Sequence, residues 1–243
     1  MKEVIQSFIA QKQLSTNSSQ AYFYDLNQFW EQVQPVINDQ SLLLYQQFLT
    51  GLQPSVQQRK SSAINQFLYY LYETEYLDRF YKVKKVAKAR ISREKRKRVD
   101  LDSLWQSTEL LEGQLIALFI SQLGLTPSEI AQIKTEQIDM ELRIVSLEKK
   151  GQKRILSLPQ RLVPYLHHFQ AATFLFDKKG QAYSRQWFFK QLSKYVEQLG
   201  QPNWTAQFLR EQFILKQLDS GMSREELAKQ LGLKTRMTLE KYI

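Results

Sequence analysis

Three groups of side chains in this 243-residue chain could act on an anion. The first is Arg210, in Gln207-Phe208-Leu209-Arg210-Glu211, followed by Leu231-Gly232-Leu233 and then Tyr242. A guanidinium offers a planar fork of N–H donors that suits phosphate or carboxylate, and a tyrosine is a phenol with an ordinary pKa of about 10. The second is Lys149, Lys150 and Lys153 around Gly151. The third is the run from Lys82 to Arg98, with ten basic side chains and one acidic. Each has a plain structural reading beside the chemical one: a surface arginine on an amphipathic helix, a tyrosine packing a last turn, solvated lysines at a turn, and a solubilising linker.

The elements that must position these groups follow from periodicity and caps. Four apolar stripes at helical spacing precede the basic run: Val4, Ile5, Phe8 and Ile9; Tyr22, Leu26, Phe29, Trp30 and Val33; Leu42, Tyr45, Phe48, Leu49 and Leu52; and Ala63, Ile64, Phe67, Leu68 and Leu71. They predict a small helical bundle, with Ser55 and Gln58 as a capping box for the fourth helix and Arg59 and Lys60 near its start. After the run, Leu115–Ile120 is apolar all round and predicts a buried central helix. Thr126-Pro127-Ser128-Glu129 predicts an N-cap, a proline at the first helical position and a capping glutamate. Arg143–Leu147 and Arg154–Leu158 alternate at period two across Lys150-Gly151, which predicts a hairpin. Further helices are expected over Leu162–Phe169, Ser184–Leu199, Ala206–Leu218 and from a second capping box at Ser223 and Glu226. Trp187, Phe188 and Phe189 are expected in the core.

Charge sharpens the functional reading. The net charge is +10, and the run of residues 82–98 accounts for nearly all of it. Such a segment repels itself, stays solvated and extended, and suits a phosphate backbone without reading bases. Within it and nearby, Arg59, Lys60, Lys84, Lys85, Arg93, Arg96, Lys97, Arg98 and Lys153 are the candidate DNA contacts. Zero cysteines excludes disulfides, thiolate zinc sites and cysteine nucleophiles. His167 and His168 have no partner ligands at metal spacing, so no metal is expected. The polar N-terminus is unlike a signal peptide and no apolar run reaches membrane-spanning length; a cytoplasmic protein without a membrane partner is expected.

With these residues in place, the whole chain resembles the Xer-type tyrosine recombinases of the phage integrase family, its short XerD-like branch most of all. Leu14–Tyr22 with Asp25–Phe29 is similar to that family's opening helix, and Arg59–Leu68 to its DNA-facing helix. Gly124–Ile130 resembles the segment with its first arginine, and Lys149–Arg154 its lysine-bearing turn. The resemblance implies a mainly α, two-domain clamp with a small β-hairpin: a helical core-binding domain over residues 1–81, a basic linker over 82–98, and a catalytic-type domain over 99–243. It implies duplex DNA as partner, a homo-oligomer or related recombinase on that DNA, and no cofactor, because bond energy is held in a phosphotyrosine link. Arg210 matches the second phosphate-gripping arginine and Tyr242 the nucleophile. The assisting lysine is Lys149 if the strands are aligned on Arg154, and Lys150 if aligned on the Lys-Gly turn; strand phase favours Lys149.

The family pattern also fails at named places. Thr126 stands at the first arginine, Gln207 and Leu233 stand at histidines, and Glu211 stands where another histidine is common. An amide cannot exchange a proton near neutral pH, and leucine can neither donate nor accept one. One lost donor to a developing anion is worth about 10²–10³ in rate. Only Ile243 follows Tyr242, which leaves no evident tail to exchange between subunits. The expectation is a DNA-binding recombinase homologue with little or no strand cleavage, acting as an accessory factor. An active recombinase with an altered site is the alternative. A third reading takes Ser223–Lys234 as a helix-turn-helix of a transcription regulator.

Overall fold

The computed structural model describes residues 1–84, 97–149, 151–169, 173–233 and 235–242. The chain divides into two compact units, Met1–Arg93 and Glu94–Ile243.

The first unit is built from the four expected amphipathic helices: α1 (Lys2–Gln11), α2 (Thr16–Val33), α3 (Asp39–Thr50) and α4 (Pro54–Glu73). Ser15 caps α2, and Asn38 with Ser41 forms a capping box on α3. The fourth helix starts two residues earlier than its sequence suggested. Pro54 takes the first helical position, where its missing N–H is no loss, and Gln53 precedes it with no side-chain cap in place of the expected Ser55 box. The apolar stripes converge on one core around Phe29, Tyr45, Phe67, Leu68 and Leu71. Tyr81 and Val83 join that core, and the Asn65 amide pairs with both backbone groups of Val83, donating to its oxygen (2.9 Å) and accepting from its nitrogen (2.8 Å). The first residues of the basic run are therefore part of the bundle's packing.

The second unit is wrapped around α5 (Leu111–Leu123), whose residues from Leu115 to Ile120 are fully buried, as apolarity on every side requires. Thr126 caps α6 (Pro127–Ile130) in the expected capping box. β1 (Ile138–Asp139), β2 (Ile144–Lys149) and β3 (Gln152–Ser157) form an antiparallel sheet in that order. The hairpin register sets Lys149 opposite Gln152, Glu148 opposite Lys153 and Leu147 opposite Arg154. The continuous helix expected over Leu162–Phe169 is instead α7 (Val163–Leu166) between two 3-10 turns, with Pro164 inside its first turn. β4 (Asp177–Lys178) and β5 (Gln181–Ala182) make a second small hairpin that no sequence pattern announced.

Three helices complete the unit: α8 (Arg185–Gln198), α9 (Ala206–Asp219) and α10 (Arg224–Gln230), capped by Ser184, Thr205 and Ser223. Tyr195 of α8 is fully buried and donates to the Leu104 carbonyl at 2.8 Å; burial pushes its phenol up to about 12. A 3-10 segment, Arg236–Tyr242, ends the fold, with Leu239 buried against Phe213, Leu227 and Leu231. Of the stretch Ser223–Lys234, α10 and the turn at Gly232 are described, and Lys234 lies outside the described residues. In the 3-10 segment that follows, Leu239 is buried while Met237 is exposed.

Candidate functional site: an arginine–tyrosine cleft

Arg210 sits one turn into α9, and Tyr242 closes the last 3-10 segment, 32 residues on. The packing of Leu239 on Leu231 and Phe213 brings the two together. Both line a cleft of about 740 Å³ with Leu231 and with Thr126, Gln207 and Leu233, the positions that the family resemblance singled out. The fold thus assembles residues separated by more than a hundred positions into one concave surface.

The Arg210 guanidinium donates to the Leu231 carbonyl at 3.3 Å, at the end of α10. Burial pushes it below the usual arginine range. The charges of Glu129 and Tyr242 act against that shift, and the charge of Arg154 adds to it. Two cations, a carboxylate and a phenol therefore share one electrostatic neighbourhood.

Thr126 is bound by its capping role. Its backbone nitrogen donates to Glu129 Oε2 at 2.9 Å, its hydroxyl donates to the same oxygen at 2.7 Å and accepts from the Glu129 nitrogen at 3.3 Å. The other oxygen of Glu129 accepts from Arg154 at 2.6 Å, and both side chains of that pair are about nine-tenths buried. Sequence reasoning read Glu129 as a cap and Arg154 as an alignment marker, and assigned neither to the site. A signal was present: Arg154 is in phase with the buried Leu156 and Leu158, and a cation on the inward face of a strand needs a carboxylate inside.

Arg185 was also missed. It lines the cleft from the first residue of α8, over the ring of Phe189 (5.2 Å), which is 40% exposed and not in the core as expected. A cation in a first helical turn opposes the helix dipole, and that was its signal in the sequence. Phe188 is fully buried and Trp187 packs against the same core.

The remaining candidates are distributed. Lys149 is the last residue of β2. Lys153 is exposed on β3. Arg59 pairs with Asp25 while remaining half exposed. Lys60 corrects its sequence reading: it is turned inward, with its ammonium 2.8 Å from Asp25 and 2.5 Å from Gln28, because the nearly buried Asp25 demands a counter-charge. Lys84, Lys97 and Arg98 are exposed. Lys85, Arg93, Arg96 and Lys150 lie outside the described residues. Among the described residues no cluster of histidine, aspartate and glutamate could hold a metal ion, and no helix is long and apolar enough to cross a membrane.

Residues 100–243 match the model of the phage integrase family, and the chain belongs to that family. Within it, the chain is 52% identical over 242 residues to a protein of Streptococcus suis named "Tyrosine recombinase XerD-like", covering 100% of each. A protein of the same name from Streptococcus gordonii is 49% identical over 242 residues, again with 100% of each covered. Among solved structures, the fold is similar to the Tn1549 transposon integrase in complex with circular intermediate DNA (TM-score 0.75, 13% identity, 100% of this chain and 94% of that one). It is also similar to the XerH site-specific recombinase bound to difH substrate in a pre-cleavage complex (TM-score 0.70, 13% identity, 100% and 81%).

Proposed function

We propose that this protein is a tyrosine-recombinase homologue that binds duplex DNA and has little strand cleavage of its own. One observation carries the reading: Arg210 and Tyr242 line a single cleft whose other family positions are filled by Thr126, Gln207 and Leu233. A guanidinium beside a phenol suits a phosphodiester, with the arginine as bidentate donor and the tyrosine as nucleophile. Beyond the hairpin lysine, the first arginine and the histidine-type positions of the family are replaced. Thr126 spends its hydroxyl on Glu129, and Leu233 offers no polar atom beyond its backbone. Family membership and the solved relatives bound to DNA support duplex DNA as the partner. The exposed Lys84, Lys97, Arg98 and Lys153, with the half-exposed Arg59, supply cations for its backbone; Lys60 does not.

A nicked duplex that traps covalent intermediates tests the reading. Salt-sensitive binding with at most a trace of adduct, abolished in Tyr242→Phe, is the expected result. Rapid Tyr242-dependent adduct formation by the purified wild type would establish the active alternative instead. Absence of salt-dependent binding to any genomic fragment would remove the DNA role.

A further inference from the structure

We infer that Arg154 is a positioning residue for Arg210, holding the turn on which the working guanidinium rests; the inference builds on the reading of Arg210 as a phosphate ligand. It starts from the way α10 ends. A helix leaves its last carbonyls without intrahelical partners, and basic side chains can take them. Here the helix closes in a left-handed turn at Gly232 (φ +61°), with Leu233 N donating back to the Ala228 carbonyl at 2.9 Å. Two guanidiniums then occupy consecutive carbonyls of that end: Arg154 on Gln230 O at 2.8 Å, and Arg210 on Leu231 O at 3.3 Å.

The two arginines are not equivalent. Arg154 is nearly buried and held at both ends of its fork, by Gln230 O and by Glu129 Oε1. Its guanidinium lies so close over Gly232 that a Cβ there would come within 2.9 Å of Cζ and Nη1, which leaves glycine as the residue that fits. Arg210 lines the cleft and makes the longer bond. The rigid member thus sets the place of the turn, and the turn sets the place of the cleft-facing member.

The same geometry gives Glu129 a cation although no arginine stands at Thr126. One carboxylate oxygen holds the α6 cap, the other holds Arg154 from the hairpin, and the path continues through Gln230 and Leu231 to Arg210. A lysine could supply the charge but not the two-ended grip, since its ammonium is a point donor on a flexible stem.

The test compares wild type, Arg154→Lys, Glu129→Gln, Arg210→Ala and the double variant Arg154→Lys/Arg210→Ala. Thermal unfolding identifies folded samples, and Glu129→Gln, which retains the shape of the carboxylate, serves if Arg154→Lys does not fold. The NMR signal of the Arg210 Nε–H in free protein is expected to move in Arg154→Lys, where net charge is unchanged. An unmoved signal overturns the inference whether or not DNA binds. With a duplex DNA fragment, Arg154→Lys is expected to weaken binding at least fivefold and to flatten the salt dependence by about one phosphate contact, a slope change of about 0.9. In the Arg210→Ala background the same substitution is expected to change binding by less than twofold. An equal loss in both backgrounds would make Arg154 merely structural. No salt-dependent binding by wild type, with the NMR shift present, would refute the DNA reading and leave the positioning role standing.

Discussion

Thr126 is where cap and catalysis compete, and substituting it separates them. In the structure its hydroxyl accepts a long bond from the Glu129 nitrogen (3.3 Å) and donates a short one to the carboxylate (2.7 Å). Loss of an N-cap costs about 0.5–2 kcal/mol. The cap bond is long and the carboxylate bond is charge-assisted, so about 1–2 kcal/mol is expected for Thr126→Ala. For a unit of this size that lowers Tm by roughly 3–6 °C. Thr126→Arg should lose the same cap, while its position on the cleft wall places a second guanidinium within reach of an anion beside Arg210. One restored donor is worth about 10²–10³ in rate, reduced here because Gln207 and Leu233 remain and residues acting as a unit do not add. At least a tenfold rise in covalent adduct on a nicked duplex is therefore expected from Thr126→Arg and none from Thr126→Ala, with Tyr242→Phe as the blank. An unchanged Tm in Thr126→Ala would refute the capping argument. A folded Thr126→Arg with no gain in adduct would refute the claim that a missing donor limits the site.

Other perturbations test the supports of this site. Tyr195→Phe removes the bond to Leu104 O and is expected to cost about 1 kcal/mol at neutral pH. The Tyr195 phenol is raised to about 12 in the fold, so its stabilisation is complete below the unfolded value of about 10 and declines as pH rises through 12. Denaturant midpoints between pH 7 and 11 should fall above pH 10 more steeply in wild type than in Tyr195→Phe. Gln212, two residues beyond Arg210 on α9, accepts from Val99 N at 2.8 Å and donates to Lys97 O at 3.4 Å; Gln212→Ala should speed hydrogen exchange at the Val99 amide at least tenfold. Asp25→Asn leaves the buried Lys60 ammonium without its counter-charge and should destabilise the first unit by about 3–5 kcal/mol, measured by chemical denaturation.

The amphipathic stripes before the basic run, the all-round apolar α5, the caps at Thr126 and Ser223 and the lysine-tipped hairpin were legible because each depends on neighbours within a few positions. Helical periodicity, a capping hydroxyl and a two-residue turn are local physics. The break of Leu162–Phe169 was local too, since Pro164 stands within it, yet the apolar pattern concealed it. β1 and the β4–β5 hairpin were too short to announce themselves.

For the site, the family resemblance nominated Arg210, Tyr242, Thr126, Gln207 and Leu233, and the fold places all five on one cleft. What faces inward was another matter. Lys60 and Arg59 are adjacent in sequence, yet one is inside and the other half exposed, because a single buried carboxylate of α2 lies under them. Arg154 meets Glu129 across 25 residues and Gln230 across 76, and Arg210 meets Leu231 across 21. The sequence offered several guanidiniums and phenols without saying which would meet. Only tertiary packing settled which guanidinium faces the cleft and which is locked behind it, since desolvation and long-range pairing arise only when distant segments close over one another.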